Sequence, residues 1–278
     1  MLLATLPSRP TQGLSRGYCR RPPLILINGM AEQAESWFCN LTVWRQHFDV
    51  YMPNLLVYEG AALHRRIAEG LPIDIDYLVT QLHRYLEEFV QTPPFHVVAN
   101  SLGGKIAVEY AARYPEQVDR LVLLCPSGLS EEESLPLVDG VRRTDPHSLV
   151  SSVFYDGGQL DPAVVDYYGR QFANRRWRTG LLRTIRGTME HRVRDRLADV
   201  KQPTLLVVGR EDRIVDPEES IEAALLLPEG RLHVLEQCGH APQMEQPEIV
   251  NRLVVEFLTQ PLPPALQRSR AAQACTVS

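Results

Sequence analysis

The sequence is poor in lysine, has no paired metal-binding motif and lacks any long apolar run. Lysine accounts for only two of the 29 basic residues, Lys105 and Lys201. The five cysteines include no C-x-x-C pair, and the eight histidines include no H-x-H or H-x-x-x-H pair. This pattern predicts free thiols, no metal site and no other cofactor. Because no apolar stretch approaches the ~20 residues that span a bilayer, we expect no membrane span.

The net charge and the first residues of the chain exclude further classes of protein. The net charge is -5 and 23% of the residues are charged, which argues against a disordered chain and against a broad basic surface for nucleic acid. The opening residues 1–7 lack a basic leader and end at a proline, short of the ~7–15 apolar residues of a secretion signal. We therefore expect a cytoplasmic protein that does not bind nucleic acid.

Short apolar runs alternate with segments of helical periodicity along most of the chain. The runs carry β-branched residues with little alternation, as strands covered on both faces do. They lie at residues 24–27, 95–99, 121–124, 204–208 and 232–235. Amphipathic helices are predicted at 75–89, 106–114 and 249–258. The sequence thus predicts the α/β class, with a doubly wound, mostly parallel sheet.

The alternation breaks between residues 127 and 195, where aromatic residues are dense and no strand pattern occurs. Two Asp-Pro pairs there, at 145–146 and 161–162, are typical of helix starts. We therefore predict a helical insertion. The chain is thus predicted to consist of a loose N-terminal segment at 1–22, a core at 23–126 and 196–260, the helical insertion at 127–195, and a flexible tail at 261–278.

Ser101 is the first candidate for chemistry, because it stands between an apolar strand and an amphipathic helix. A tight turn there needs small neighbours, and Ala99 and Gly103 meet that need. The turn leaves the hydroxyl at a helix N-terminus, where negative charge is favoured. A serine N-cap beside glycines is the plain structural alternative.

A serine nucleophile needs a base and an acid that orients the base. His240 follows the last predicted strand, whereas the other histidines lie in strands or in charged sequence. Asp212 lies in the loop after the strand at 204–208. Glu211 is its nearest competitor, and Asp216, before Pro217, is typical of a helix N-cap. The order serine, aspartate, histidine, each after a strand, predicts a catalytic triad.

On these residues the chain resembles the α/β-hydrolase fold superfamily over about residues 22 to 260. The likeness rests on 28–30, 99–104, 209–217 and 239–242. It implies that Ser101 is the nucleophile, His240 the base and Asp212 its orienting acid. It also implies an oxyanion hole made by the backbone N–H groups of Met30 and Leu102, with the insertion as a lid.

The resemblance implies a serine esterase acting on a small-molecule carboxylic ester of small to medium acyl chain. A serine where some members have aspartate argues against haloalkane dehalogenase and epoxide hydrolase activity. Two alternatives remain. Residues 100–104 and 120–128 are similar to hydrolases that cleave C–C bonds in meta-ring-fission products, although that family tends to have Trp where this chain has Ala241. A non-catalytic ligand receptor of the same fold is the other.

Substrate-binding residues are expected in the loop after the first strand, in the insertion and beside the acid. The family usually has His-Gly where this chain has Asn28-Gly29. Acidic groups on a substrate could pair with Arg186 or Arg192, although a solvated arginine face is the more common structure. The predicted substrate-binding residues are Asn28, Gly29, Trp177, Met189, Ile214 and Val215.

Overall fold

A six-stranded parallel sheet forms the centre of the described part of the protein in the computed structural model. The structure describes residues 21–32, 34–55, 58, 60–90, 92–130, 151–156 and 162–261. The strands are β1 (Pro23–Ile27), β2 (Asp49–Tyr51), β3 (Phe95–Asn100), β4 (Val118–Leu124), β5 (Thr204–Gly209) and β6 (Gly230–Leu235). They pair in the order β2-β1-β3-β4-β5-β6, and every pairing is parallel. The predicted doubly wound sheet is confirmed.

Helices cover both faces of this sheet. They are α1 (Phe38–Trp44), α2 (Ala61–Ala68), α3 (Ile75–Phe89), α4 (Leu102–Arg113), α5 (Pro162–Ala173), α6 (Arg175–Thr188), α7 (Pro217–Ala223), α8 (Pro242–Glu245) and α9 (Pro247–Thr259). No helix in the described ranges is long and apolar enough to cross a membrane.

Side-chain alternation along the strands divides the core into two layers. Ile25 and Ile27 of β1 belong to the layer that contains buried side chains of α3, α4 and α6. Leu24 and Leu26 point the other way and pack with buried side chains of α1 and α9. Because both faces of the sheet are covered at β1, β3, β4 and β5, these inner strands are buried and mostly apolar, and the sequence therefore shows them as apolar runs. The three-residue β2 is too short to give such a run.

The segment between β4 and β5 carries α5 and α6. Over the described parts of this segment, 125–130, 151–156 and 162–203, no strand occurs. Helix α6 buries Trp177 and Leu181 against the core. Gly180 makes that approach possible, because a Cβ at this position would lie 2.3 Å from the backbone oxygen of Tyr58. The helix start at 145–146, the residues before 21 and the tail from 262 lie outside the described residues, and the domain limits stay a prediction.

Candidate active site

Ser101 lies on a strained turn between β3 and α4. Its φ is +51°, in the left-handed region that residues other than glycine rarely adopt. The turn is held by the Ser101 N–H, which donates to Leu124 O at 3.1 Å. Gly103 must lack a side chain, since a Cβ there would lie 2.3 Å from Ile27 O. The close contact between α4 and β1 therefore explains the small residue that the sequence shows two positions after the serine.

The structure brings Ser101, His240 and Asp212 together. Nε2 of His240 lies 2.7 Å from Ser101 Oγ, and Nδ1 lies 2.7 Å from Asp212 Oδ2. All three residues are buried. A carboxylate can only accept a hydrogen bond, so Nδ1–H donates to Asp212 and Nε2 accepts from the serine hydroxyl. This tautomer leaves a base directed at the hydroxyl, as nucleophilic catalysis by serine requires.

Asp212 is held in place by the turn that follows it. Its Oδ1 accepts hydrogen bonds from the backbone N–H groups of Ile214 at 2.8 Å and Val215 at 3.1 Å. The other carboxylate oxygen is thereby directed at His240. The backbone N–H groups of Ile214 and Val215 thus fix the acid, and the predicted contact of these residues with substrate stays a prediction.

The two competing carboxylates serve other purposes. Glu211 accepts from the N–H of Cys238 at 2.9 Å and so joins the loops after β5 and β6. Asp216 is the N-cap of α7, where its Oδ1 accepts from the N–H groups of Glu218 and Glu219. Neither carboxylate is within hydrogen-bonding distance of the histidine ring.

The loop that carries His240 is fixed by two polar side chains. Asn100 donates from Nδ2 to Leu124 O at 2.9 Å and to His240 O at 3.1 Å. Glu245 accepts from the N–H groups of Gly239 and Ala241. Burial raises the pKa of Glu245, and these backbone hydrogen bonds oppose the increase. The sequence does not predict this role for Glu245, because no sequence pattern shows that its side chain turns back to the backbone of residues 239–241.

The loop after β1 lies next to the nucleophile, at the point where the strand order reverses between β1 and β3. Parallel sheets bind ligands at such points. Gly29 N–H donates to the Glu32 carboxylate at 3.2 Å, and Glu32 N–H donates back to Gly29 O at 3.4 Å. Burial raises the pKa of Glu32 above its ordinary value, and the hydrogen bond from Gly29 N–H opposes the increase. Glu32 is a second residue that sequence reasoning missed.

Asn28 and Gly29 have structural roles in this loop. The Asn28 side chain accepts from Trp37 Nε1 at 2.9 Å, so its amide oxygen is used within the loop. A Cβ at Gly29 would lie 2.9 Å from Asn100 Oδ1. These contacts explain why the two residues are suited to the turn, and their predicted contact with substrate stays a prediction.

Two backbone donors near the serine are available for an anion. The Met30 N–H has no hydrogen-bond partner among the described residues. Leu102 is the first residue of α4, and N–H groups in the first turn of a helix have no partner within it. These are the two groups predicted for the oxyanion hole, and that role stays a prediction.

The predicted lid residues differ in their surroundings. Trp177 is buried and packs edge-on against Tyr58, with ring centroids 5.3 Å apart. Met189, at the C-terminal end of α6, is 40% exposed. Arg186 and Arg192 are also exposed, and Arg192 donates to Met189 O. Trp177 is therefore the member of this group that lies next to the loop after β1, through Tyr58.

A buried cysteine lies beside the acid. Ligand atoms of Cys125, Asp212 and His240 all lie within 4.8 Å of one another, a grouping that could hold a metal ion. Burial and the charge of Asp212 raise the pKa of the Cys125 thiol, which disfavours the thiolate that a metal needs. Asp212 and His240 are also hydrogen-bonded to each other. The described cysteines, Cys39, Cys125 and Cys238, are free thiols, as predicted.

Comparison with known proteins identifies the family. Residues 24–253 match the model of the alpha/beta hydrolase family, and the chain belongs to that family. The monoacylglycerol lipase ABHD6 of Mus musculus is 23% identical over 260 residues, which cover 86% of this chain and 76% of that protein. A 2-hydroxy-6-oxo-6-phenylhexa-2,4-dienoate hydrolase of Comamonas testosteroni is 29% identical over 181 residues, 59% of this chain and 63% of that protein.

A solved structure agrees with this fold. The meta-cleavage product hydrolase of Pseudomonas fluorescens IP01 superposes with a TM-score of 0.74 at 23% identity, over 86% of this chain and 91% of that chain. At this identity the likeness establishes the fold alone. Together the relatives support hydrolysis as the class of reaction.

Proposed function

We propose that this protein is a serine esterase that hydrolyses carboxylic esters of small to medium acyl chain through an acyl-enzyme. The observation that carries the proposal is the hydrogen-bonded series from Ser101 Oγ through His240 to Asp212, with both links at 2.7 Å. A receptor that only bound its ligand would not need a base directed at the serine hydroxyl. The similarity to a monoacylglycerol lipase supports an ester substrate.

The first half of the proposed reaction forms the acyl-enzyme. Ser101 Oγ attacks the ester carbonyl carbon while Nε2 of His240 takes the hydroxyl proton. Asp212 stabilises the imidazolium that results. The carbonyl oxygen becomes an oxyanion bound by the N–H groups of Met30 and Leu102, and loss of one such donor typically costs ~2.7–4 kcal/mol. His240 then returns its proton to the leaving alcohol.

The second half repeats these steps with water as the nucleophile. His240 takes a proton from the water as it attacks the acyl carbon, and then protonates Ser101 Oγ as the acid leaves. Apart from the ester and water, the scheme uses only side chains and backbone N–H groups of this chain.

Hydrolysis of a C–C bond in a meta-ring-fission product is the second candidate, and the relative at 29% identity favours it. Such a substrate carries acidic groups, for which Arg186 and Arg192 were the candidate partners. Both arginines are exposed on the surface, whereas the triad is buried. Ala241 follows the histidine, where those hydrolases tend to have Trp. We therefore rank ester hydrolysis first.

The test compares p-nitrophenyl acetate, butyrate and octanoate with a 2-hydroxy-6-oxohexa-2,4-dienoate. Wild-type protein is expected to hydrolyse the esters and Ser101→Ala to have no activity above background. Ser220→Ala, which removes a buried hydroxyl on α7, is the matched control and is expected to keep activity. Faster turnover of the dienoate would favour the second candidate. Binding of either substrate without turnover would favour a receptor.

A further inference from the structure

Ala31, next to the predicted oxyanion donor, is held by two tyrosine hydroxyls. The Ala31 N–H donates to Tyr58 Oη at 2.9 Å, and Tyr168 Oη donates to Ala31 O at 3.1 Å. Ala31 has a φ of +63°, a conformation that costs free energy for a residue with a side chain. Surrounding contacts must therefore maintain it, and both polar groups of this residue have such a contact.

These contacts determine the direction of the Met30 N–H. That N–H belongs to the peptide group whose oxygen, Gly29 O, accepts from Glu32 N–H at 3.4 Å. The next peptide group carries the Ala31 N–H bound by Tyr58, and the one after it carries the Ala31 oxygen bound by Tyr168. Three consecutive peptide groups are thus fixed. Rotation of the Gly29–Met30 peptide group would turn the Met30 N–H away from its present direction, and the hydrogen bonds of the two following groups restrict that rotation.

The two tyrosines come from different parts of the fold. Tyr58 lies in the layer that contains α3 and α4, is 1% exposed and packs against Trp177. Tyr168 lies on α5, in the insertion between β4 and β5, and its ring packs against Phe172. The hydrogen bond from Tyr168 therefore links the insertion directly to the loop that carries Met30.

We propose that Tyr58 and Tyr168 are positioning residues of the oxyanion hole. Because Tyr168 belongs to α5, stabilisation of the transition state then depends on the position of α5 relative to the loop after β1. This inference rests on the proposed esterase function. Neither hydroxyl contacts the reacting atoms. They act through the backbone of Ala31, so their loss should weaken binding of the oxyanion and leave binding of the neutral ester unchanged.

Removal of each hydroxyl alone tests the proposal, because phenylalanine keeps the ring and its packing. Loss of a whole oxyanion donor lowers kcat by ~10²–10³-fold, and a displaced donor should cost part of that, about 5- to 50-fold. We expect Tyr168→Phe and Tyr58→Phe to lower kcat in this range while KM stays within about twofold. The Ki of a trifluoromethyl ketone, whose serine adduct carries an oxyanion, should rise by the factor by which kcat/KM falls.

Tyr85→Phe is the matched control. It removes a hydroxyl from α3, where the ring packs against Phe89, and should leave kcat, KM and Ki unchanged. A merely structural role for Tyr168 would lower Tm without the parallel change in Ki and kcat/KM, and that result would overturn the proposal. The proposal would also be overturned if kcat and Ki of both tyrosine variants stayed within twofold of wild type while Ser101→Ala was inactive. Activity retained by Ser101→Ala would instead refute the esterase function itself.

Discussion

Nε2 of His240 and Oγ of Ser101 lie 2.7 Å apart, although 139 positions separate the two residues in the chain. The parallel sheet explains their proximity. Ser101 follows β3, Asp212 follows β5 and His240 follows β6, and the carboxyl ends of parallel strands meet at one edge. The fold therefore assembles a nucleophile, a base and an acid from loops that are distant in sequence.

Asp212→Asn is expected to reduce kcat by ~10⁴-fold, because an amide in place of the carboxylate no longer fixes the tautomer of the histidine. The measurement is kcat for p-nitrophenyl butyrate, with circular dichroism to establish that the variant is folded. The hydrogen bonds that Oδ1 accepts from Ile214 and Val215 should survive the change, so stability should fall little.

The neighbouring carboxylates are the controls for this prediction. Glu211→Gln keeps an oxygen that can accept from Cys238 N–H, and Asp216→Asn keeps a good helix cap, so both should retain activity within a few-fold. A large loss in Glu211→Gln, with Asp212→Asn nearly normal, would move the acid by one position.

Trp177→Ala is expected to shift the preferred acyl length toward short esters and to raise KM for the best long ester. The indole packs on Tyr58 and lies next to the loop after β1, where an acyl chain bound by apolar area would lie. The measurement is kcat/KM for p-nitrophenyl esters of increasing length.

Met189→Ala is the comparison variant, since Met189 is 40% exposed and should change the chain-length profile less. Truncating a buried Trp also costs ~3–5 kcal/mol of stability, so Tm is recorded for both variants. If Tm falls and the profile is unchanged, Trp177 only packs the insertion, and the acyl pocket is then formed by Met30, Ile214 and Val215.

Glu109 links α4 to the segment after α6, and its contribution to stability should depend on pH. Its carboxylate, only 5% exposed, lies 2.9 Å from both His191 Nε2 and Arg113 Nη2. The hydrogen bond from His191 holds the pKa of Glu109 below its ordinary value of 4.5. The stabilisation is therefore complete above pH 4.5 and is lost as pH falls through the lower, folded-state pKa.

Glu109→Gln should accordingly lower Tm at pH 7, and the difference from wild type should narrow as the pH is lowered below 4.5. Glu87→Gln is the control, because the Glu87 side chain is 65% exposed and such surface pairs contribute little. A Tm difference for Glu109→Gln that is the same at pH 7 and at about pH 3 would contradict the assigned pKa shift.

The sequence was informative wherever the pattern is local. Strands buried on both faces give apolar runs, and the turn at Ser101 requires Gly103, so the sheet and the serine could be predicted. Asp212 is predicted over Glu211 because it lies in the loop itself, three residues past the strand-ending Gly209. Its contact with His240 depends on the pairing of β5 with β6, and the sequence predicts a mostly parallel sheet but not which strands are neighbours.

Other parts of the site depend on contacts between segments that no local pattern connects. Tyr168 reaches Ala31 across 137 positions, and Tyr58 reaches it across 27. Glu32 and Glu245 bind backbone N–H groups of their own loops, which requires knowing how those loops fold. The three-residue β2 and the exposure of Met189 are likewise set by packing in three dimensions.

Covalent labelling tests the central claim, that Ser101 is a nucleophile activated by His240 and Asp212. The protein is incubated with a fluorophosphonate, and intact and peptide masses are recorded for wild type, Ser101→Ala and Ser220→Ala. We predict one adduct per chain on the peptide that contains Ser101, the same adduct in Ser220→Ala, and none in Ser101→Ala. An adduct on another residue, equal labelling of Ser101→Ala, or no adduct on the wild-type protein would contradict the account.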